Sequence, residues 1–357
     1  MKNKIRKKRN LYKFILLEKV DKKPKYKRKK KNLNIQILKT LIFIFFILFL
    51  SILIFKVIIK IISKNKNLIK NNNSNDSNIE YLLRKNNITK EDRVLVYTCC
   101  DELYSHFIPI FCNTLLRSDK LKMIDIEIGV NVNSLSKNEE QALDFLRKKY
   151  SYSKIKINYN VFIKNKTGIF YKNIKLQANS VRFVSEPTIK NKYVYITDVD
   201  IFIFTDNYFI NLIDDMKRKN NKYSNLVRPN RKQLTGLHFT EYDAYYPVPK
   251  QEKYDICDEV LLFNIVKSKG IKIDMHTQYR PNPGIHASPS RPHVNSIGYV
   301  GWLAELYKVS WINYCRSDDF KYIYPLLDNY IIKQISKLND YYGISEKDFR
   351  DIINTRL

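Results

Sequence analysis

Cysteine is scarce in this chain of 357 residues, and no two cysteines form a Cys-x-x-Cys pair. The five present, Cys99, Cys100, Cys112, Cys257 and Cys315, therefore lack the ligand spacing of a structural zinc site. Their odd number leaves at least one thiol unpaired within the chain. Cys99 and Cys100 are adjacent, which suits strand packing better than a redox pair. Acidic residues are also few, with Asp+Glu 35 against Lys+Arg 64 and a formal charge of +29. A basic balance raises the possibility of nucleic acid as a partner, but no basic helix interleaved with aromatics is present. The charge is also unevenly placed. Sixteen Lys or Arg stand in the first thirty-two residues against Glu18 and Asp21. The remaining +15 is spread along the chain beside abundant Asn and Ile, as AT-rich coding would give. No nucleic-acid partner is expected. A diffusely positive surface would attract anionic substrates such as nucleotide diphosphates.

The N-terminal part reads as a membrane anchor. Residues 1–35 form a basic tail too polar to pack, and such a tail also fits anionic lipid. From Thr40 to Phe55 the chain carries no charge, and counting on to Ile59 with Lys56 snorkelling reaches the roughly 20 residues a spanning helix needs. No small-residue cleavage site follows, and the long basic stretch before the apolar run is unlike a signal peptide. The expectation is a transmembrane signal anchor over 36–62. The basic excess on its N-terminal side predicts a cytoplasmic tail, hence a single-pass type II protein of the Golgi or endoplasmic reticulum. Residues 63–80 are polar and Asn-rich, a flexible stem, and 81–357 are the lumenal domain. Asn72, Asn75, Asn87 and Asn165 begin N-x-S/T sequons, a weak signal in so Asn-rich a chain.

Within that domain the pattern alternates. Val94–Thr98 reads as a buried strand. Asp101–Leu116 reads as a helix with Asp101 as its N-cap, Ile124–Val132 as an alternating strand and Lys137–Lys149 as a helix. Ile155–Phe162 reads as a strand and Tyr171–Val184 as a helix. This order predicts an α/β sheet of parallel strands, with ligands at the carboxyl ends of the strands. The run Tyr193–Phe204, YVYITDVDIFIF, reads as one buried strand with a polar tip. Side chains alternate along a strand, so Asp198 and Asp200 should share one side and Val199 the other. Two carboxylates at a buried tip repel and are costly to desolvate. A divalent cation would remove that cost, and hard oxygen ligands suit Mg2+ or Mn2+. The plainer alternative is a pair of strand-end carboxylates in water. Further on, Cys257–Lys267 reads as a helix opened by Asp258 and Glu259. Arg280–Pro292, with four prolines, reads as an irregular loop. The last forty residues read as helices with structural or partner roles.

The order of these features resembles the GT-A nucleotide-sugar transferases, glycosyltransferase family 8 in particular, over roughly Val94 to Trp302. The family's opening D-x-x-Y, which holds base and ribose, is matched by Asp101 to Tyr104 after Thr98. Its K-L on a helix is matched by Lys175-Leu176, and its DxD by Asp198-Val199-Asp200. Its N-S-G turn is loosely matched by Leu234-Thr235-Gly236, with Leu in place of Asn. Its D-Q is answered by Asp258-Glu259. Its late H-x-x-G-x-x-K-P is answered by His286 to Pro292, with Arg291 one position early and the glycine absent. The resemblance implies a GT-A fold, a Rossmann-like mixed sheet flanked by helices. It also implies a nucleotide-sugar donor, a UDP-sugar, and a glycan, glycoprotein or glycolipid acceptor, with retention at the anomeric carbon. Donor contacts would come from Thr98, Asp101, Tyr104, Lys175, Asp198, Val199, Asp200, Gly236, Asp258 and Arg291. Asp258 and Lys175 would be catalytic. Chemistry alone also favours a third metal ligand beside the two aspartates. His286 is the best candidate, His293 its rival, and His238 and His276 lesser ones. An Asp-x-Asp after an apolar strand also occurs in haloacid-dehalogenase-like phosphatases. There it lies near the domain start and is usually followed by Gly-Thr, whereas Ile-Phe follows here. An inactive membrane-anchored binding protein of the same fold is the other alternative.

Overall fold

The structure is a computed structural model. It describes residues 81–355 except 82, 86–87, 90, 166–167, 172–173, 176–177, 207, 229–231, 274–283 and 288–303, with backbone alone for the rest of 163–178 and for 304–307. The chain divides into two units, Met1–Asp76 and Ser77–Leu357, and every described residue lies in the second. The expected tail, anchor and stem lie outside the described residues. Among those described, no helix is long and apolar enough to cross a membrane.

In chain order the elements begin with β1 (Val94–Cys100), α1 (Glu102–Ser105), α2 (Ile108–Ser118), β2 (Ile124–Val130), α3 (Lys137–Lys149) and β3 (Ile155–Asn158). Next come β4 (Ile163–Asn165), β5 (Gly168–Tyr171), β6 (Ile174–Lys175), α4 (Ala178–Val184), β7 (Tyr193–Ile196), β8 (Ile201–Ile203) and α5 (Tyr208–Lys219). Then follow β9 (Tyr223–Ser224), β10 (Val227–Arg228), β11 (Gln233–Leu234), β12 (His238–Glu241), α6 (Tyr242–Tyr245), α7 (Asp258–Ser268) and β13 (Gly284–His286). The C-terminal helices are α8 (Ala304–Cys315), α9 (Asp318–Ile323), α10 (Asn329–Tyr341) and α11 (Glu346–Asn354).

The central sheet runs β3-β2-β1-β7-β12-β9. The first four strands are parallel, and β12 is antiparallel to both neighbours. The sheet is thus mixed rather than wholly parallel. Alternation along β1 explains why it is buried on both sides. Val94, Val96 and Cys100 enter one core, while Leu95, Tyr97 and Cys99 enter the other. The first core takes side chains of α2, α3, α5 and the C-terminal helices; the second takes those of α4, α6 and α7. Each fully buried large apolar side chain contributes about 1.5–3 kcal/mol, so both layers hold β1 and β7 at the centre.

The acidic positions of β2 are buried too, where alternation alone would leave them wet. Asp125 accepts from Arg93 (2.8 Å to Nη2) and from the backbone of Lys154 (2.7 Å). Glu127 accepts from the backbones of Thr188 and Ile189, each at 2.9 Å. These bonds tie the segment before β7 to the sheet. Helix α3 keeps its predicted bounds because Ser136 and Glu139 form a capping box, each satisfying an otherwise unpaired backbone N–H. The predicted helix 101–116 is two helices. Asp101 caps the short α1, accepting from the Tyr104 N–H at 3.0 Å, and Pro109 opens α2. The predicted helix over 171–184 is also corrected. Gly168–Tyr171 and Ile174–Lys175 form strands β5 and β6, with Lys175 paired to Phe170, and among the described residues of that stretch the helix is Ala178–Val184.

At the C-terminal end, buried Asp319 joins α9 to Arg117 of α2 and to Lys149 and Tyr150 at the end of α3. Burial raises its pKa, but bonds from Lys149 and Tyr150 outweigh that and hold it below the usual carboxylate range. Trp311 of α8 donates to Asn339 of α10 at 2.8 Å within the core. All five cysteines are free, with Cys257 exposed at the N-cap of α7 and the other four buried.

Candidate functional site

The chain leaves β1 for β2 and β3 on one side, then returns to place β7 on the other side of β1. The carboxyl ends of β1 and β7 therefore border a topological switch point, where open α/β sheets form ligand crevices. Strand β7 stops at Ile196, two residues before the first aspartate. The run read as one strand is thus two. Strand β8 leaves the central sheet and pairs antiparallel with β13, and the Asp-x-Asp occupies the bend between the two sheets. The sidedness predicted from alternation survives the bend. Val199 is buried in the apolar core, while both carboxylates enter one cluster.

Strand β13 lies inside the Pro-rich segment read as irregular, and this too is a correction. It places His286 opposite Ile201, and the Ala287 N–H donates to the Asp200 carbonyl at 2.8 Å. The His286 Nε2 lies 3.3 Å from Asp200 Oδ2. One ligand atom from each of Asp198, Asp200 and His286 falls within 4.8 Å of the others. Two carboxylates and an imidazole suit a divalent cation such as Mn2+. Gly236 packs closely against the Asp198 side of the cluster. A Cβ there would come within 2.8 Å of Arg182 Nη2 and 3.0 Å of Asp198 Oδ2. The residues present fit a metal.

Sequence reasoning missed Arg182. Its side chain is only 3% exposed, and its Nη2 lies 2.7 Å from Asp198 Oδ1 and 3.3 Å from Asp258 Oδ2. Its guanidinium also lies over the Phe183 ring, 4.5 Å from the centroid. The one available signal was a single charge in the otherwise uncharged stretch ANSVRFV. Asp258 reaches this pair from the first turn of α7. Burial pushes the Asp198 pKa up, and the neighbouring charges of Asp200 and Asp258 push the same way. Arg182 and His286 offset part of that rise. A bound cation would favour the ionised form.

At the end of β1, Thr98 is fully buried, and its hydroxyl has no partner among the described residues. Asp101 and Tyr104 stand just beyond it on α1. Tyr330 of α10 comes beside them, and its phenol senses Tyr104, Asp101 and Asp200. No motif marks Tyr330, and the C-terminal helices gave no sequence reason to look there. His238 is not in the metal cluster. It is buried on β12 with Nδ1 3.2 Å from Asn225 Nδ2, and burial pushes its pKa down to about 3. Only the backbone of Lys175 is described, on β6 rather than on a helix. Arg291, His293 and His276 lie outside the described residues.

No protein-family model matches the chain, and no curated protein does. Among solved structures it is similar to the glycosyltransferase GlyE of Streptococcus pneumoniae, at 10% identity and a TM-score of 0.31, over 43% of this chain and 35% of that one. It is similar to the mannosyltransferase PcManGT of Pyrobaculum calidifontis in complex with GDP-Man and Mn2+, at 8% identity and a TM-score of 0.35, over 73% of this chain and 72% of that one. It is also similar to residues 1–349 of S. aureus TarS, at 12% identity and a TM-score of 0.34, over 72% of this chain and 91% of that one. The chain thus spans about a third of the length of GlyE.

Proposed function

We propose that this chain is a metal-dependent glycosyltransferase of the GT-A kind. It moves a sugar from a nucleoside-diphosphate donor, a UDP-sugar, to a glycan, protein or lipid acceptor with retention. The observation that carries this reading is the gathering of Asp198, Asp200 and His286 within 4.8 Å at a sheet switch point. The charge pattern of residues 1–62 supports a type II membrane anchor, with the domain in the Golgi or endoplasmic reticulum lumen.

In this reading Asp198, Asp200 and His286 hold Mn2+ or Mg2+. When bound, the ion acts as a Lewis acid toward the diphosphate leaving group. The chain's own residues do the positioning. Arg182 fixes the Asp198 and Asp258 carboxylates from a buried place, so neither has to be ordered when the donor arrives. Asp258, 16% exposed beside Arg182, accepts a hydrogen bond from a donor-sugar hydroxyl. Gly236, lacking a Cβ, lets the backbone approach Arg182 and Asp198 closely. Asp101 and Tyr104 take the nucleoside. Lys175 and Arg291 supply positive charge to the diphosphate. Thr98 and the buried Val199 side chain support these positions from within.

The test is an assay of the detergent-solubilised full chain with Mn2+. Sugar release from a nucleotide sugar is the expected result, abolished by chelator. Phosphate release from phosphomonoesters instead would assign the phosphatase chemistry. No turnover of either, with donor bound, would leave an inactive binding protein.

A further inference from the structure

We propose that the ring of Tyr330 is a platform for the nucleoside of the donor, so that helix α10, far along the chain from every motif residue, completes the nucleoside end of the site. The inference rests on the glycosyltransferase reading and adds a contact to it.

Four observations place the ring. First, Tyr330 opens α10, a helix anchored by buried Ile331, Ile335 and Leu338 and by the Trp311–Asn339 bond. Its backbone is further fixed by the Asp328 cap, which accepts from the Tyr330 N–H at 2.7 Å. Second, the ring is held by neighbours. It stands perpendicular to Phe107 at 6.4 Å between centroids and lies 6.3 Å from His106. His106 is itself fixed by Glu139, at 2.7 Å, and Phe107 packs on Phe202 of β8 and on Tyr104. Third, Asp101, Tyr104 and Asp200 all lie close enough to act electrostatically on the phenol. Burial pushes its pKa up, and those three groups add to the rise. Fourth, the side chain is only half-buried, and its hydroxyl makes no hydrogen bond among the described residues.

A donor diphosphate on the Asp198–Asp200–His286 cluster has its nucleoside attached on one side. Tyr330 is tied to both regions through its ring neighbour Phe107, which packs on Tyr104 beside Asp101 and on Phe202 of β8, two residues after Asp200. In this reading a base or ribose leading from the diphosphate toward Asp101 and Tyr104 comes within reach of the ring. A preheld aromatic ring suits such a group, because every base offers a π-face and little side-chain freedom remains to be lost.

Calorimetric titration of the full chain with UDP, uridine and inorganic pyrophosphate, each with Mn2+, tests this. In Tyr330→Leu, which keeps apolar bulk, UDP and uridine should each bind roughly tenfold or more weakly. Pyrophosphate should bind as in the wild type. Tyr330→Phe, which keeps the ring and has the least effect on packing, should bind all three within about threefold, as a ring-borne contact requires. A structural role would weaken UDP and pyrophosphate alike, and that result overturns the proposal. So does equal loss of UDP affinity in the Phe and Leu variants, or none in either. Failure of the wild type to bind UDP at all would be a different result, since it would also remove the donor reading on which the proposal rests.

Discussion

Asp198 and Asp200 should be equivalent toward a cation and opposite toward stability. Asp198 is the nearer partner of a guanidinium that is 3% exposed. Losing one partner of a buried ion pair costs about 3–5 kcal/mol. Here Asp258 stays at 3.3 Å and Asp198 is itself 30% exposed, so Asp198→Asn should cost less, about 1–3 kcal/mol. Among the described residues Asp200 has no such partner. Its carboxylate faces His286 and repels Asp198. At an effective dielectric of 20, two like charges some 4–5 Å apart repel by about 3–4 kcal/mol. Asp200→Asn removes that repulsion and gives up the attraction to His286, so its stability should be unchanged or raised. In chelator, Asp198→Asn should melt about 2–12 °C below the wild type, at roughly 2–4 °C per kcal/mol, and Asp200→Asn should not. A hundredfold excess of Mn2+ over its dissociation constant should stabilise the wild type by about 2.7 kcal/mol. Neither variant should gain this. Thermal melts with EDTA and with Mn2+ read both effects. Equal melting of the two variants in EDTA would refute the role of the Arg182 pair. A full Mn2+ shift in either would remove that residue from the cation site.

His238, held near pKa 3 by burial, binds fewer protons folded than unfolded between about pH 6.5 and 3, so its contribution to stability falls as pH falls through that range. It should account for about 2 kcal/mol of loss between pH 7.5 and 5, and urea unfolding of His238→Phe should show a shallower acid limb; an unchanged limb would contradict the buried neutral state. For the proposed topology, protease added to sealed microsomes should remove an N-terminal tag and spare the domain, and protection of the tag would reverse the orientation.

Strong local signals were legible in the sequence. Apolar runs marked β1, β2 and β7, and Lys137–Lys149 was legible as the helix α3. The acidic pair and His286 were legible because their types and order carry metal chemistry. What failed did so where tertiary pairing overrides local pattern. The apolar residues after Asp200 continue the strand-like composition of β7, so nothing local shows that β8 pairs elsewhere. The residues before α4 read as helix because hairpin pairing between β5 and β6 is invisible to periodicity. Pro281, Pro283 and Pro289 flank Gly284–His286, a window just long enough for three paired residues. Arg182 was hidden because a buried arginine reads locally as a surface charge; only the fold shows the two carboxylates that neutralise it. Tyr330 is one of 26 tyrosines, and its position beside the site exists only once α10 is packed.

The distribution of the five thiols gives the protein a built-in reporter position. Thiolate is the reactive form, and burial pushes Cys99 up to about 11 and Cys112 up to about 12. It raises Cys100 and Cys315 well above the ordinary range. Cys257 alone is exposed, and its sulfur lies 3.7 Å from Asp258 Oδ1. A maleimide fluorophore would therefore attach at a single point one residue from a carboxylate that Arg182 holds. The natural chain could then signal occupancy of the crevice without any cysteine having to be added or removed.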